Sequence, residues 1–383
     1  MEAQFSIAGH QNLRTKVIQV ILFGLMLILS VSIFVFFIYY SWINTNSSAS
    51  FSDMISGTAQ KPYVTRVLVP WLTNGISALM PDSIHMAAEN LSAKNVLLGS
   101  FLMAYRTPDD FALEAIISLL LQLASIIGFA FTFRGLYRKV FKTPELVPEM
   151  FTLVILLGMT PMLFYGYIYD FPSLFLSTLG LYCIAAKRKR SYFAVFFLAT
   201  LNKETAIFLV VPSILLFWDW LRPSLRKVIY GVLAQVSIYF AVRVPIGWIY
   251  RNNPGGMIEN HWAEHAIILR DFPMVSVLTF LIAMVMIWLA FNRWRDKPVM
   301  VMFGVFPGIV LLPMFLLGGY PFEIRVFYDV YAASFMSTVY TLLLPRIKLP
   351  AQWLTTQDWL NSLAAMISRM SFSPQNRTLR KQS

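Results

Sequence analysis

The chain has 383 residues, of which 57% are hydrophobic, 15% aromatic and only 13% charged, and its mean hydropathy is +0.63. A water-soluble domain carries about 25% charged residues. Half that share over this length leaves too little polar surface to cover a globule, which excludes a soluble enzyme, a DNA-binding module and a disordered tail. The sequence reads as an all-α, polytopic transmembrane bundle, and its net charge of +12 has to be assigned to sides before any partner is inferred.

A hydrocarbon core about 30 Å thick takes roughly 20 apolar residues at about 1.5 Å each. In chain order, windows of that kind run over 17–43, 111–133, 151–169, 171–186, 228–250, 274–291, 299–317 and 326–344. The first exceeds the apolar part of a signal peptide and is read as an anchor. The stretch 191–221 is too long for one span and is interrupted by Asn202-Lys203-Glu204-Thr205, which predicts two short helices meeting at that tetrad. Basic clusters at Arg14 and Lys16, 134–142, 187–190, 222–227, 293–297 and from Arg346 onward alternate correctly only if this stretch enters and leaves on one side. The expectation is ten spans with both termini cytoplasmic: a cytoplasmic segment 1–16, a membrane domain 17–344 with a first outer loop 44–110, and a basic amphipathic tail 345–383. The positive charge then reports orientation, and nucleic acid is not a partner. The one cysteine, Cys183, lies in an apolar run and has no second cysteine to pair with. The long first loop has no counterpart in the second half, so no transporter-type repeat is evident.

The ionisable residues away from the basic clusters gather on the outer side. Asp53 follows the first span in a polar run; it reads either as a solvated loop carboxylate or as a general base that meets a lipid-borne substrate. Val64, Val67, Leu68, Trp71, Leu72, Ile76 and Leu79 recur at helical spacing, predicting a helix flat on the outer leaflet. That helix would hold Arg66 at the surface, where a guanidinium binds a phosphate through two parallel bonds. Asp170, before Phe171-Pro172, has the position of a helix N-cap, beside Tyr165, Tyr167 and Tyr169, which could line a sugar site. Lys203 and Glu204 interrupt an apolar hairpin, where ionisable groups cost about 2.5 to 3.5 kcal/mol each at membrane depth; they either neutralise each other or serve function.

Arg243, roughly 10 Å inside its span by helical rise, requires an anionic partner. Glu323 and Arg325 precede the last span, and Arg325 with Asp329 has the i, i+4 spacing of a helical ion pair. In the loop 251–273, His261-Trp262-Ala263-Glu264-His265 places two histidines at i, i+4, but not in the zinc-protease order, so the loop is read as a polar lid with a flexible entry at 252–256. In the tail, 351–370 carries an apolar face with Arg377, Arg380 and Lys381 beyond it, the pattern of a helix anchored on anionic membrane lipids.

An outer site with one loop carboxylate, several cations and many aromatics suits a substrate with an apolar tail, such as a sugar carried on polyprenyl phosphate. Arginine or lysine would stabilise the leaving phosphate, and a carboxylate would take the proton of the incoming hydroxyl. The order of an early Asp in a long outer loop, then Pro62-Tyr63-Val64-Thr65-Arg66-Val67-Leu68-Val69-Pro70, Tyr169-Asp170, Asn202-Lys203-Glu204-Thr205 and Glu323-Ile324-Arg325 resembles the GT-C superfamily of integral-membrane glycosyltransferases. It is similar in particular to bacterial members related to mannosyl- and arabinosyl-type transferases.

The resemblance implies a lipid-linked sugar donor and Asp53 as the base, with Arg66, Lys203, Glu204 and Arg325 around the phosphate or the sugar. Asp170, Arg243 and Glu323 are further candidate binding residues. It also implies a bacterial inner membrane, although Asn46-Ser47-Ser48 and Asn90-Leu91-Ser92 have the form of glycosylation sequons. Many members carry Asp-x-Asp or Asp-Glu in the first loop, where this chain reads Phe51-Ser52-Asp53-Met54. Some relatives use a divalent metal; no cofactor or metal ligand set is indicated in this sequence. Two other readings stand beside this one: a transporter or lipid flippase, pointed to by Arg243 and the interrupted hairpin, and a non-catalytic membrane assembly protein.

Overall fold

Long apolar runs in a chain poor in charge fold as helices because each helix satisfies its own backbone, and in the computed structural model the described residues are helical with no named strand. The structure describes residues 2–40, 46, 48–94, 99–100, 111–164, 166–218, 224–256, 261–318, 323–343 and 354–371. Arg106, Asp109, Asp110, Tyr165, Arg346, Trp353, Arg377, Arg380 and Lys381 lie outside them.

α1 (Glu2–Tyr40) runs unbroken through the boundary expected at residue 16. The next segment forms α2 (Phe51–Ser56), a 3-10 turn Tyr63–Thr65, α3 (Leu68–Ser77) and α4 (Asp82–Lys94). α5 (Ala112–Val140) carries Glu114 in its first turn and Arg138 and Lys139 in its last, matching the helix dipole at both ends. α6 (Val147–Leu157) stops at Gly158 and Pro161. α7 (Asp170–Ala185), α8 (Lys189–Asn202), a 3-10 turn Glu204–Leu209 and α9 (Val210–Phe217) follow.

The second half contains α10 (Leu225–Ile249), α11 (Trp262–Asp271), α12 (Pro273–Phe291), α13 (Val299–Val305) and α14 (Gly308–Gly318). A 3-10 turn Ile324–Phe327 leads into α15 (Tyr328–Leu343), and α16 (Thr356–Ser371) closes the described chain.

Four helical stretches among the described residues are long and apolar enough to cross a membrane: Arg14–Tyr40, Ala112–Val140, Leu225–Ile249 and Val299–Leu316. A fifth is formed if Trp262–Asp271 and Ser276–Phe291, bent by 112°, count as one. The chain is thus an integral membrane protein. α12 turns Phe280, Leu281, Ile282 and Trp288 outward, each more than half exposed, as a lipid-facing helix does. The windows 151–169, 171–186, 191–221 and 326–344 form shorter helices, because Gly158, Pro161 and Lys203 interrupt them or the apolar run is itself short.

The core is an aromatic column. Phe129, Phe133 and Tyr137 of α5 and Phe141 just after it, all buried, meet Tyr331, Phe335 and Tyr340 of α15 at 5.7–6.5 Å between ring centroids. On α7, Phe175 lies over Gly128, where an added Cβ would stand 2.9 Å from its ring, so the small residue lets α5 and α7 pack closely.

These registers give the bundle two chemically distinct ends. At one, Arg134 and Arg138 both bind the buried Glu149 at 2.7 and 2.6 Å, and Lys187 Nζ donates to the Leu215 carbonyl at 2.5 Å. Lys297, fully buried, donates to the carbonyls of Leu289 and Ala290 and to Ser337, closing the C-terminal end of α12. α16 docks at this basic end, with Trp359 packed on Phe303 and Trp218 at 4.9 and 5.7 Å. The other end gathers the C-terminus of α1, the start of α7, the end of α8, the last turns of α10 and the start of α15.

The turn after α10 does not form the flexible entry expected of it. Asn253 Nδ2 donates to the carbonyls of Gly57 and Ala59, both at 2.9 Å, and the Lys61 N–H donates to the Pro254 carbonyl at 2.8 Å. Gly255 adopts φ +83°, and a Cβ there would lie 2.6 Å from the Lys61 carbonyl oxygen. Gly255→Ala is therefore expected to lower stability by about 1–3 kcal/mol, read as a lower melting temperature of the purified protein; an unchanged melting temperature would show that this stitch is dispensable.

Candidate functional site

The break in the hairpin begins the site. α8 ends at Asn202, Lys203 is extended (φ −157°, ψ 145°) and the 3-10 turn starts at Glu204. Asn202 fixes the break by donating from Nδ2 to the Tyr169 carbonyl and Ser173 Oγ at 2.9 and 2.8 Å. A polar tetrad thus turns the chain beside the start of α7.

Two arginine centres face this break. Arg66 meets Glu204 through two parallel bonds, Nε to Oε2 at 3.2 Å and Nη2 to Oε1 at 2.6 Å, and donates from Nη1 to the Tyr169 hydroxyl. Its guanidinium lies 4.4 Å from the Tyr169 ring centroid. Arg243 reaches Glu204 Oε2 at 3.6 Å and donates to the Thr65 carbonyl at 2.9 Å and hydroxyl at 3.1 Å. This supplies the anionic partner its place in α10 demands. Arg325 grips Asp170 with Nη1 at 3.0 Å from both carboxylate oxygens, donates from Nη2 to Glu323 and sits 4.4 Å from the Tyr167 centroid.

The two centres are joined by aromatic rings. Tyr167 and Tyr169 stack 5.5 Å apart at 7°, Tyr63 lies 5.1 Å from Tyr167, and Asn46 Nδ2 donates to the Tyr167 hydroxyl at 2.6 Å. Burial opposes the charges of Arg66 and Arg325, but the adjoining carboxylates outweigh it: Glu204 raises the pKa of Arg66, and Asp170 with Glu323 raises that of Arg325 well above the ordinary arginine value. Both stay cationic.

Arg66, Asp170, Glu204, Arg243, Glu323 and Arg325 thus form one charged cluster with Tyr169 at its centre. Lys203 lies at the break itself, 5% exposed, and its Nζ has no hydrogen-bond partner among the described residues. It does not neutralise Glu204 through a direct pair; Arg66 and Arg243 hold that carboxylate.

Three expectations need correction. Arg66 does not ride on α3 at the membrane surface: it precedes that helix, is 8% exposed, and is drawn inward because the Val67 N–H donates to the Leu201 carbonyl at 3.0 Å. Asp170 is not the N-cap of α7. Tyr169 holds that place, while the Asp170 carboxylate accepts the Tyr167 N–H at 2.7 Å and serves Arg325. Arg325 and Asp329 do not pair, because Arg325 lies in a 3-10 turn, where the i, i+4 alignment of an α-helix is lost. In the loop 251–273, His261 Nδ1 faces Glu264 at 3.4 Å, and among the described residues no group of three or more metal-ligating side chains is present.

Asp53 stands apart in α2. Its backbone N–H donates to the Ser50 hydroxyl at 3.2 Å, and its carboxylate accepts Ser50 at 2.5 Å and Thr58 at 3.0 Å, a local cap akin to a capping box. No hydrogen bond or ion pair joins it to the arginine cluster among the described residues. Asn46, Tyr63 and Thr65 were not legible as site residues: an amide, a phenol and a hydroxyl in polar loop sequence carry no charge signal.

No family model, curated protein or solved structure matches the chain.

Proposed function

We propose that the chain is a membrane glycosyltransferase of GT-C type, with ten spans and both termini cytoplasmic in a bacterial inner membrane. On this reading it moves a sugar from a polyprenyl-phosphate donor to an acceptor at the outer face. The observation that carries it is Lys203: a buried ammonium, next in sequence to Glu204, whose Nζ has no hydrogen-bond partner among the described residues. An unpaired buried charge is costly, and an anionic group of a ligand would meet that need.

The cluster supports a phosphate as that group. Lys203, as a compact charge, and the arginines, with their planar forks, would bear the negative charge that grows on the lipid phosphate as the glycosidic bond breaks. Tyr63, Tyr167 and Tyr169 offer flat apolar faces of the kind a sugar ring uses. The incoming hydroxyl attacks the anomeric carbon, its proton passes to a carboxylate, and the lipid phosphate leaves.

Asp170, Glu204 and Glu323 are each held by arginine, which weakens them as bases. Asp53, engaged only by hydroxyls, is the carboxylate we assign to take the proton. Asp53→Asn is expected to abolish transfer from a polyprenyl-linked sugar, by a factor of about 10²–10⁴, with helical content unchanged by circular dichroism. Full activity of that variant would remove the assignment. Mass spectrometry of the detergent-extracted protein is expected to find a prenyl-phosphate lipid; a lipid complement identical to that of a Lys203→Met variant would count against the site.

A further inference from the structure

Asp329 is left over from the charged cluster. Asp170, Glu204 and Glu323 each hold an arginine within 4.0 Å, whereas no basic group stands that close to Asp329 among the described residues. Its two oxygens accept hydroxyls from two other elements, Oδ1 from Ser177 of α7 at 2.8 Å and Oδ2 from Thr205 at 2.5 Å. The nearest charges on the same segments are turned elsewhere: Arg325 binds Asp170 and Glu323, and Glu204 binds Arg66 and Arg243.

Ser177, Thr205 and Asp329 also line a small cavity, walled otherwise by apolar residues such as Leu181, Phe208 and Pro307. The space open to the centre of a water-sized sphere is about 10 Å³, which holds about one water and cannot take a sugar or a phosphate. A hydroxyl can turn its proton aside and offer a lone pair instead. Three side chains with four hard oxygen atoms around one negative charge, at a space of this size, suit a hard cation of single charge better than a divalent ion, which recruits more carboxylates or a full shell of waters.

We propose that Asp329, Ser177 and Thr205 bind one dehydrated monovalent cation of sodium size, tying the start of α15 to α7 and to the turn after Lys203. Acidic residues also suit the first turn of a helix, and a carboxylate there can act only as a hydrogen-bond acceptor. Asp329→Asn keeps the size and one acceptor oxygen while removing the charge, so it separates the two roles.

The test is thermal unfolding of the full-length purified protein in detergent, at constant ionic strength, with sodium chloride exchanged for choline chloride. Because a ligand that binds only the folded form stabilises it by mass action, sodium is expected to raise the melting temperature saturably by several degrees, lithium to do likewise and potassium less. Asp329→Asn is expected to show no sodium dependence, and Ser177→Ala to need at least about ten times more sodium for the same shift.

Equal melting temperatures of the unaltered protein in sodium and choline would overturn the proposal, and this result needs no variant to fold. A sodium shift that survives intact in Asp329→Asn would place the ion elsewhere and overturn it too. The readout uses neither donor nor acceptor, so it stands or falls separately from the transfer reaction.

Discussion

Lys203→Met is expected to make the protein more stable and inactive at once. The variant keeps an unbranched side chain of similar length and removes a buried ammonium whose Nζ has no hydrogen-bond partner among the described residues. Relieving an unpaired buried ammonium should raise stability by about 1–3 kcal/mol, seen as a higher melting temperature in detergent. If the ammonium holds the leaving phosphate, transfer from a polyprenyl-linked sugar should fall by about 10²–10³-fold, the usual cost of losing one such donor. Opposite signs in the two measurements mark a group retained for function against its effect on folding. A stability loss without an activity loss would make Lys203 a structural residue and remove the main support for an anion at the hairpin break.

Glu204→Gln should destabilise, because it leaves Arg66 and Arg243 facing an amide. Breaking a fully buried pair from one side costs about 3–5 kcal/mol; with the Glu204 side chain 27% exposed, the loss of the forked contact of Arg66 with both carboxylate oxygens is expected to cost about 1–3 kcal/mol. Arg66→Met should cost a similar amount. The double variant should then cost less than the sum of the two, with a coupling of at least about 1 kcal/mol measured by chemical unfolding in micelles. Costs that add within about 0.5 kcal/mol would mean that the two side chains do not depend on each other.

Some of this arrangement can be read from the amino-acid order, and the reason is local. A polar tetrad in an apolar hairpin has few places to go, so the break at Lys203 follows from the composition on either side. The same holds for Arg243, whose depth in an apolar helix forces a counter-charge to exist. What the order does not reveal is which counter-charge. Local spacing favours Asp329 for Arg325, yet Asp170 takes it from 155 residues away, because the chain around Arg325 is a 3-10 turn and α7 presents a carboxylate across the gap.

Arg66 shows the same limit. Its neighbours predict a surface helix, and only the backbone bond from Val67 to Leu201 draws it inward to Glu204. Asp53 illustrates the converse: Ser50 three residues earlier is a local signal for a cap, and the local geometry follows it.

The separation of partners along the chain has a consequence for biosynthesis. Arg66 and Glu204 are 138 residues apart, and at about 5–20 residues per second the ribosome needs roughly 7–28 s to supply the second after the first. The rim contact of Lys61 with Pro254 waits longer still. A nascent chain therefore carries Arg66 without its counter-charge, and this end of the bundle can lock only after the tenth helix emerges. Early intermediates are expected to be open at that end, so protection of the segment 44–110 from added protease should arrive late in translation.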